Sequence, residues 1–61
     1  MNKIALKFCI DSQNSKHTRF TIFDDHANAG TLCMDSSNFQ TLCRVLQKQD
    51  CINFEVNNEI K

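Results

Sequence analysis

The segment 30–57, GTLCMDSSNFQTLCRVLQKQDCINFEVN, constrains the fold more than any other part of this 61-residue chain. A short apolar segment leads through a row of helix-capping residue types into an amphipathic segment, and a second apolar segment follows at once. A helix connected this tightly to two strands has one use, which is to cover one face of the sheet that contains them.

Two further strands are predicted before this unit. Residues 3–10 alternate between apolar and other side chains, and a period of two over eight residues is typical of a half-buried strand. Residues 17–23 are rich in β-branched and aromatic types and predict a second strand. The polar segment 11–15, DSQNS, is predicted to be the turn that joins them.

A longer connection is predicted between the second and third strands. It covers residues 24–30, DDHANAG, and leads to a short third strand at 31–34. Asn28 and Gly30 are the residue types that best tolerate a positive φ angle. Because Gly30 is the only glycine of the chain, it is predicted to mark a strained turn or a bulge.

The helix is predicted over residues 37–48. Asp35, Ser36 and Ser37 are all candidate N-caps. Apolar residues recur at spacings of three and four and form one stripe, which comprises Phe39, Leu42, Cys43 and Leu46 and is widened by Val45. The last strand is predicted over residues 51–57, and residues 58–61 are predicted to fray.

These elements predict a single small α+β domain over residues 1–61 with the order βββαβ. The sheet has four strands and is mostly antiparallel, with one helix on one face. The helix returns the chain so that the last strand runs parallel to its neighbour, and the sequence leaves open whether that neighbour is the first or the third strand.

Several properties limit the classes of function. The N-terminal segment MNKIALKFCID lacks the length and cleavage site of a signal peptide, and no segment of the sequence is long enough to cross a membrane. The chain is therefore expected in the cytoplasm with its thiols reduced. A domain of this size has marginal stability and commonly relies on disulfides, a metal or oligomerisation.

The sheet face that the helix leaves uncovered is unusual in composition. It is expected to mix small, sulfur-bearing and aromatic residues with a few charges, whereas a wetted face is usually charged and rich in threonine. Cysteine behaves as a small hydrophobe and is seldom exposed without a role. Either another molecule covers this face, or it is an ordinary solvent-facing sheet with scattered apolar residues.

No pattern predicts catalysis or metal binding. The four cysteines lie at least eight residues apart, whereas structural zinc sites use close pairs. Asp24, Asp25 and His26 resemble a catalytic fragment, but so short a chain rarely forms the pocket that catalysis needs. No catalytic residue, metal or cofactor is therefore expected.

Nucleic-acid binding is the competing interpretation. Lys3, Lys7, Lys16 and Arg19 place positive charge on the first hairpin, although the net charge of the chain is zero. Sheet-face nucleic-acid binders also present aromatic residues on which bases stack. Phe23 is the only aromatic residue expected on this face, so the first hairpin is otherwise interpreted as a solvated charged strand.

The segment Asn28–Met34, followed by the capped helix with Phe39 and Leu42, resembles a pattern in short uncharacterised proteins of phages and other mobile elements. This resemblance covers about the central third of the chain, and no functional residue follows from it. It implies a small protein that acts by binding one host protein in the host cytoplasm, with inhibitors of bacterial defence systems, such as anti-CRISPR proteins, as a special case.

The sequence thus predicts a non-enzymatic protein-binding module, whose partner is a host protein, a second copy in a homodimer, or both. A small nucleic-acid-binding regulator is the alternative. The expected contact surface combines the uncovered sheet face with the second connection; its residues are Lys7, Cys9, Arg19, Phe23, Asp24, Asp25, His26, Asn28, Cys33 and Cys51.

Overall fold

The computed structural model describes residues 3–58, and the predicted fold class is confirmed. Four strands and one helix follow in the order βββαβ, and their bounds are β1 Ile4–Gln13, β2 His17–Asp24, β3 Ala27–Asp35, α1 Ser36–Gln47 and β4 Ile52–Asn58. The predicted fraying of the C-terminal tail lies outside the described residues, except for Asn58, which belongs to β4.

The sheet order is β3-β2-β1-β4. β1 pairs with β2, and β2 with β3, in antiparallel fashion, whereas β4 runs parallel to β1. This settles the neighbour of the last strand, which the sequence had left open. With β4 beside β1, the twelve-residue helix crosses the sheet from the β3 edge to the β4 edge.

The core is a cluster of four phenylalanines between the sheet and α1. Phe20 lies at its centre with 0% exposure, and its ring centroid is 4.7 Å from that of Phe39 and 4.8 Å from that of Phe8. Phe54 meets Phe8 edge to face at 4.9 Å. Aromatic pairs at these separations stabilise a core beyond the area that they bury.

The helix covers less of the sheet than its apolar stripe predicts. Val45, expected to widen that stripe, is 49% exposed. On the helix side of the sheet, Ile4, Leu32 and Val56 are also largely exposed, at 53%, 48% and 39%. One three-turn helix contacts both edge strands but is too short to cover the whole face of a four-stranded sheet, so these apolar side chains stay largely in solvent.

Two bulges make β1 and β3 longer than predicted. β1 continues to Gln13, so only the second half of the predicted turn at 11–15 lies in the connection, and Asp11 is an extra residue between the pairs Ile10–Phe20 and Ser12–Arg19. β3 begins at Ala27 rather than at residue 31, with Ala29 unpaired between the partners of Ile22 and Phe23. A bulge lets a strand continue past residues that break the alternating pattern, which is why both segments looked like loops in the sequence.

Gly30 lies next to the second bulge with φ of +132°, which confirms the predicted strained position. Asn28 supports the bulge, because its Oδ1 accepts a hydrogen bond of 2.9 Å from the amide of Gly30.

The β2–β3 connection is a two-residue turn rather than the predicted seven-residue loop. Asp24 pairs with Ala27, and only Asp25 and His26 lie between them, with φ of 49° and 75°. Positive φ at both central positions matches the twist of a hairpin and usually selects Asn-Gly. A histidine in this conformation is strained, since its Cβ crowds the backbone.

Replacing His26 by glycine is therefore expected to stabilise the domain by up to about 1 kcal/mol, because glycine adopts positive φ without strain but loses more chain entropy on folding. Urea denaturation followed by circular dichroism measures the change. His26→Ala is the matched control, since alanine also loses the imidazole but keeps the strain. Equal effects of the two substitutions would contradict the explanation.

The helix begins one residue before the predicted start, and the N-cap is one of the three predicted candidates. Asp35 holds the N-cap position, but its side chain forms no capping hydrogen bond. Ser36 is buried as the first helical residue, and its hydroxyl turns away to the β1–β2 turn. The helix ends at Gln47, where the amide of Lys48 bonds back to the carbonyl of Val45 at 3.2 Å.

Candidate functional site

The candidate site lies on the helix-free face, which is the face of the sheet opposite α1. Strand register brings four residues from four strands into one line across this face, which we name the Phe23 row; its members are Asn28, Phe23, Lys7 and Glu55. Directly opposed residues in paired strands project from the same face, so these side chains are neighbours.

Phe23 is the large apolar side chain of this row and is half-buried. The Nζ of Lys7 lies 5.8 Å from the centroid of the Phe23 ring, within the range of a cation–π contact. Lys7 is also half-buried, because its aliphatic stem follows the sheet surface. The ring is therefore partly covered by the protein's own lysine.

A second line of side chains, which we name the Cys9 row, comprises Thr31, Thr21, Cys9 and Asn57. The Thr21 hydroxyl donates to Asp11 Oδ2 at 2.9 Å and lies 3.0 Å from the Thr31 hydroxyl. Since the single hydroxyl proton of Thr21 goes to the carboxylate, Thr31 must donate to Thr21. This chain of hydrogen bonds fixes three strands across the helix-free face.

Two depressions open onto the Phe23 row. The first has a volume of about 150 Å³ and lies at the end of the face near the β2–β3 turn. The second has a volume of about 360 Å³ and lies along β1, β2 and β3. Phe23 lines both; the remaining charged or polar side chains around the first are Lys7, Asp25, His26, Asn53 and Glu55, and around the second Asp11, Thr21 and Asn28.

The structure brings six of the ten predicted contact residues together around these depressions. They are Lys7, Cys9, Phe23, Asp25, His26 and Asn28. Asp11 and Glu55 lie beside them and were not among the predicted contact residues. Strand alternation puts both residues on this face, but Asp11 was assigned to a turn, and Glu55 meets Lys7 only because β4 pairs with β1.

The remaining four predicted residues lie elsewhere. Arg19 and Cys33 oppose each other on the helix-free face, further along β2 and β3. Asp24 opposes Leu6, which packs against the core, and so belongs to the helix side of the sheet. Cys51 precedes β4 in a turn, where its carbonyl accepts a hydrogen bond from the amide of Ile4 at 3.0 Å.

Cys9 differs from the expectation for a contact residue. It faces away from the helix but is only 8% exposed, because side chains of its own strand and of the neighbouring strands surround it. It therefore offers little area to another molecule. An aspartate at this position would bury a carboxylate and destabilise the monomer.

The cysteines do not form a cluster. All four are free thiols, with Cys33 and Cys51 exposed and Cys43 half-buried on α1. Burial raises the pKa of the Cys43 thiol and keeps it protonated at neutral pH, which makes it a poor nucleophile. Within residues 3–58, no three histidine, cysteine or carboxylate side chains lie close enough together to hold a metal ion.

No helix in the described part of the chain is both long and apolar enough to span a membrane. Comparison of the chain with protein-family models, with curated proteins and with solved structures finds no match. The similarity of Asn28–Met34 to phage proteins therefore stays a prediction from the sequence.

Proposed function

We propose that this protein is a non-enzymatic protein-binding module that uses the Phe23 row as its contact surface. The observation that carries the proposal is a large aromatic side chain outside the core, half accessible, at the meeting point of two depressions. Protein interfaces commonly combine an aromatic anchor with a polar rim. Here the rim carries both signs of charge, from Lys7, Asp25 and Glu55.

The shape of the site favours a macromolecular partner over a small substrate. Small-molecule sites are clefts of about 300–1,000 Å³ that bury most of the ligand. The first depression is smaller than this range, and the second is a shallow trough open to solvent. Neither holds a nucleophile paired with a base, since Cys9 is buried and His26 is exposed on the turn.

The charge arrangement favours a protein over a nucleic acid. Lys7 lies opposite Phe23, and Arg19 lies four residues from Phe23 along β2. The two basic residues are therefore roughly 13 Å apart along the sheet. The carboxylate of Asp11 lies between them, bonded to Thr21. An acid between two bases interrupts the positive track that phosphate binding needs. Occlusion of a host protein by a phage-type inhibitor is a special case of this proposal and rests on the sequence resemblance.

An affinity capture with matched variants tests the proposal. The tagged protein is incubated with nuclease-treated host lysate, and the retained proteins are identified by mass spectrometry. We expect a nuclease-resistant partner whose affinity falls about tenfold or more in Phe23→Ala or Glu55→Lys, because loss of a central anchor costs about 2 kcal/mol. Gln40→Ala, on the exposed helix face, should bind as the wild type does.

Two outcomes would refute this function. Partners that are captured from untreated lysate but not from nuclease-treated lysate would assign the surface to nucleic acid. Equal binding by Phe23→Ala and the wild type, with both proteins folded by circular dichroism, would remove the Phe23 row from the interface.

A further inference from the structure

β3 forms one edge of the sheet, and among the described strands it pairs only with β2. All of its nine residues except Met34 are exposed. The outer side of such a strand presents backbone N–H and C=O groups that can template another strand. Natural edges are usually protected by charges, prolines or bulges. In β3 the bulge protects the N-terminal end at Ala29, but the regular stretch from residue 30 to 34 has no such device.

The two edges of the sheet differ in charge. Residues 27–34 contain no charged side chain, and the only charge of β3 is Asp35 at its C-terminal end. β4, at the other edge, carries Glu55 at its centre. A charge in the middle of an edge strand discourages pairing, so β3 is the edge that accepts a partner strand more readily.

From these observations we propose that two copies of this chain pair antiparallel through their β3 edges, with Leu32 of one copy opposite Leu32 of the other. This inference does not depend on the proposed function, because the β3 edge at Leu32 lies outside the Phe23 row. The resulting two-fold dimer has one continuous eight-stranded sheet with both helices on the same side.

The exposed side chain of Leu32 indicates that the strand pairing with the β3 edge comes from a second copy of this chain. Leu32 is 48% exposed on the helix side of the sheet, so α1 leaves about half of this residue uncovered. In a symmetric antiparallel pairing centred on Leu32, the two exposed leucines meet as a directly opposed pair and remove each other from water. The same register places Thr31 opposite Cys33 and Gly30 opposite Met34 of the other copy.

Charge is also compatible with this self-pairing. In the Leu32-centred register each Asp35 faces Ala29 of the other copy, so no like charges oppose one another. The net charge of zero adds no long-range repulsion between copies. A single strand edge is a small interface, and the association is therefore expected to depend on protein concentration rather than to be obligate.

Native mass spectrometry and light scattering over a wide concentration range test the inference. We expect the wild-type protein to reach a dimer mass, and Leu32→Lys to weaken dimerisation about tenfold or more, because like charges directly opposite across strands repel. Val45→Lys is the matched control, since Val45 is equally exposed on α1 and lies away from the edge. It should dimerise as the wild type does.

A mixing experiment tests whether Leu32 of one copy meets Leu32 of the other across a two-fold axis. Leu32→Lys and Leu32→Glu should each be monomeric alone, and an equimolar mixture should recover the dimer, because only a Leu32-to-Leu32 contact places the two opposite charges together. Circular dichroism confirms that each variant is folded; substitution at a half-exposed edge position is not expected to unfold the monomer.

Three results would overturn the proposal. The first is a wild-type protein that stays monomeric at all concentrations, which would leave the edge to a strand from another protein or to solvent. The second is a dimer that survives Leu32→Lys and is lost in Val56→Lys, which would move the contact to the β4 edge. The third is a dimer lost in Phe23→Ala alone, which would assign it to the helix-free face.

Discussion

Phe20→Ala is expected to remove a large share of the free energy of unfolding of this domain. Phe20 has no exposed surface and contacts the rings of Phe8 and Phe39 at centroid distances of 4.8 and 4.7 Å. Truncation of a buried phenylalanine costs about 3–5 kcal/mol, through lost burial and the cavity left behind. A chain of this length has a total stability of about 3–9 kcal/mol, so the loss is at least about a third of the total.

Phe23→Ala is the matched control for this prediction. It changes the same residue type in the same strand, but on the helix-free face, where Phe23 is only half-buried. Its expected cost is about 1 kcal/mol. Urea denaturation followed by circular dichroism compares the two variants. If the two variants lost comparable free energies of unfolding, the helix-free face would contribute as much stability as the core, contrary to the fold described.

Ser36→Ala is expected to destabilise the domain by about 1–3 kcal/mol. Ser36 Oγ donates to the carbonyl of Asn14 at 2.7 Å and lies 2.8 Å from the buried hydroxyl of Thr18. Because the one hydroxyl proton of Ser36 is used on Asn14, Thr18 must be the donor to Ser36. Alanine would therefore leave a buried donor and a partly buried acceptor without partners.

A double-mutant cycle with Thr18→Val checks this explanation. Thr18→Val alone leaves the Ser36–Asn14 bond intact and frees only the side-chain amide of Gln13, which is exposed and can bond to water. It should therefore cost less than Ser36→Ala. In the double variant the orphaned hydroxyl is gone as well, so the combined loss should fall below the sum of the single losses. Additive losses would show that the two hydroxyls act independently.

This buried link explains a difference between the predicted and observed helix start. Ser36 was expected to be one of three candidate caps because its residue type favours N-cap positions. In the structure its hydroxyl instead joins the first turn of α1 to β2 and to the β1–β2 turn. The same residue type serves either purpose, and only the position of Thr18 in the folded chain decides between them.

Much of the fold follows directly from the sequence. Period-two alternation in the strands and the three-and-four spacing in the helix predict which side chains meet in the core, and Phe8, Phe20, Phe39 and Phe54 all lie there. Alternation also places Phe23 on the opposite face. These features depend on local geometry, since the repeat of a strand or helix fixes the direction of each side chain.

The candidate site depended on facts that local patterns do not contain. Whether Glu55 or another residue opposes Lys7 is determined by which strand β4 joins. Asn28 reaches the helix-free face because the bulge at Ala29 shifts the register, and the bulge at Asp11 does the same for Ser12. A bulge changes the pairing by one residue and reverses the face of everything beyond it, so alternation read through it gives the wrong side.

By itself, then, the sequence determined the order of elements, the apolar stripe of α1 and the aromatic core, because each follows from short-range periodicity. Only the tertiary structure decided that β4 lies beside β1, that Cys9 is buried in the face opposite the helix, and that Leu32 is left exposed on an edge that pairs with no further strand among residues 3–58. These outcomes depend on how much of the sheet one helix covers and on contacts between residues distant in the chain, which no local pattern records.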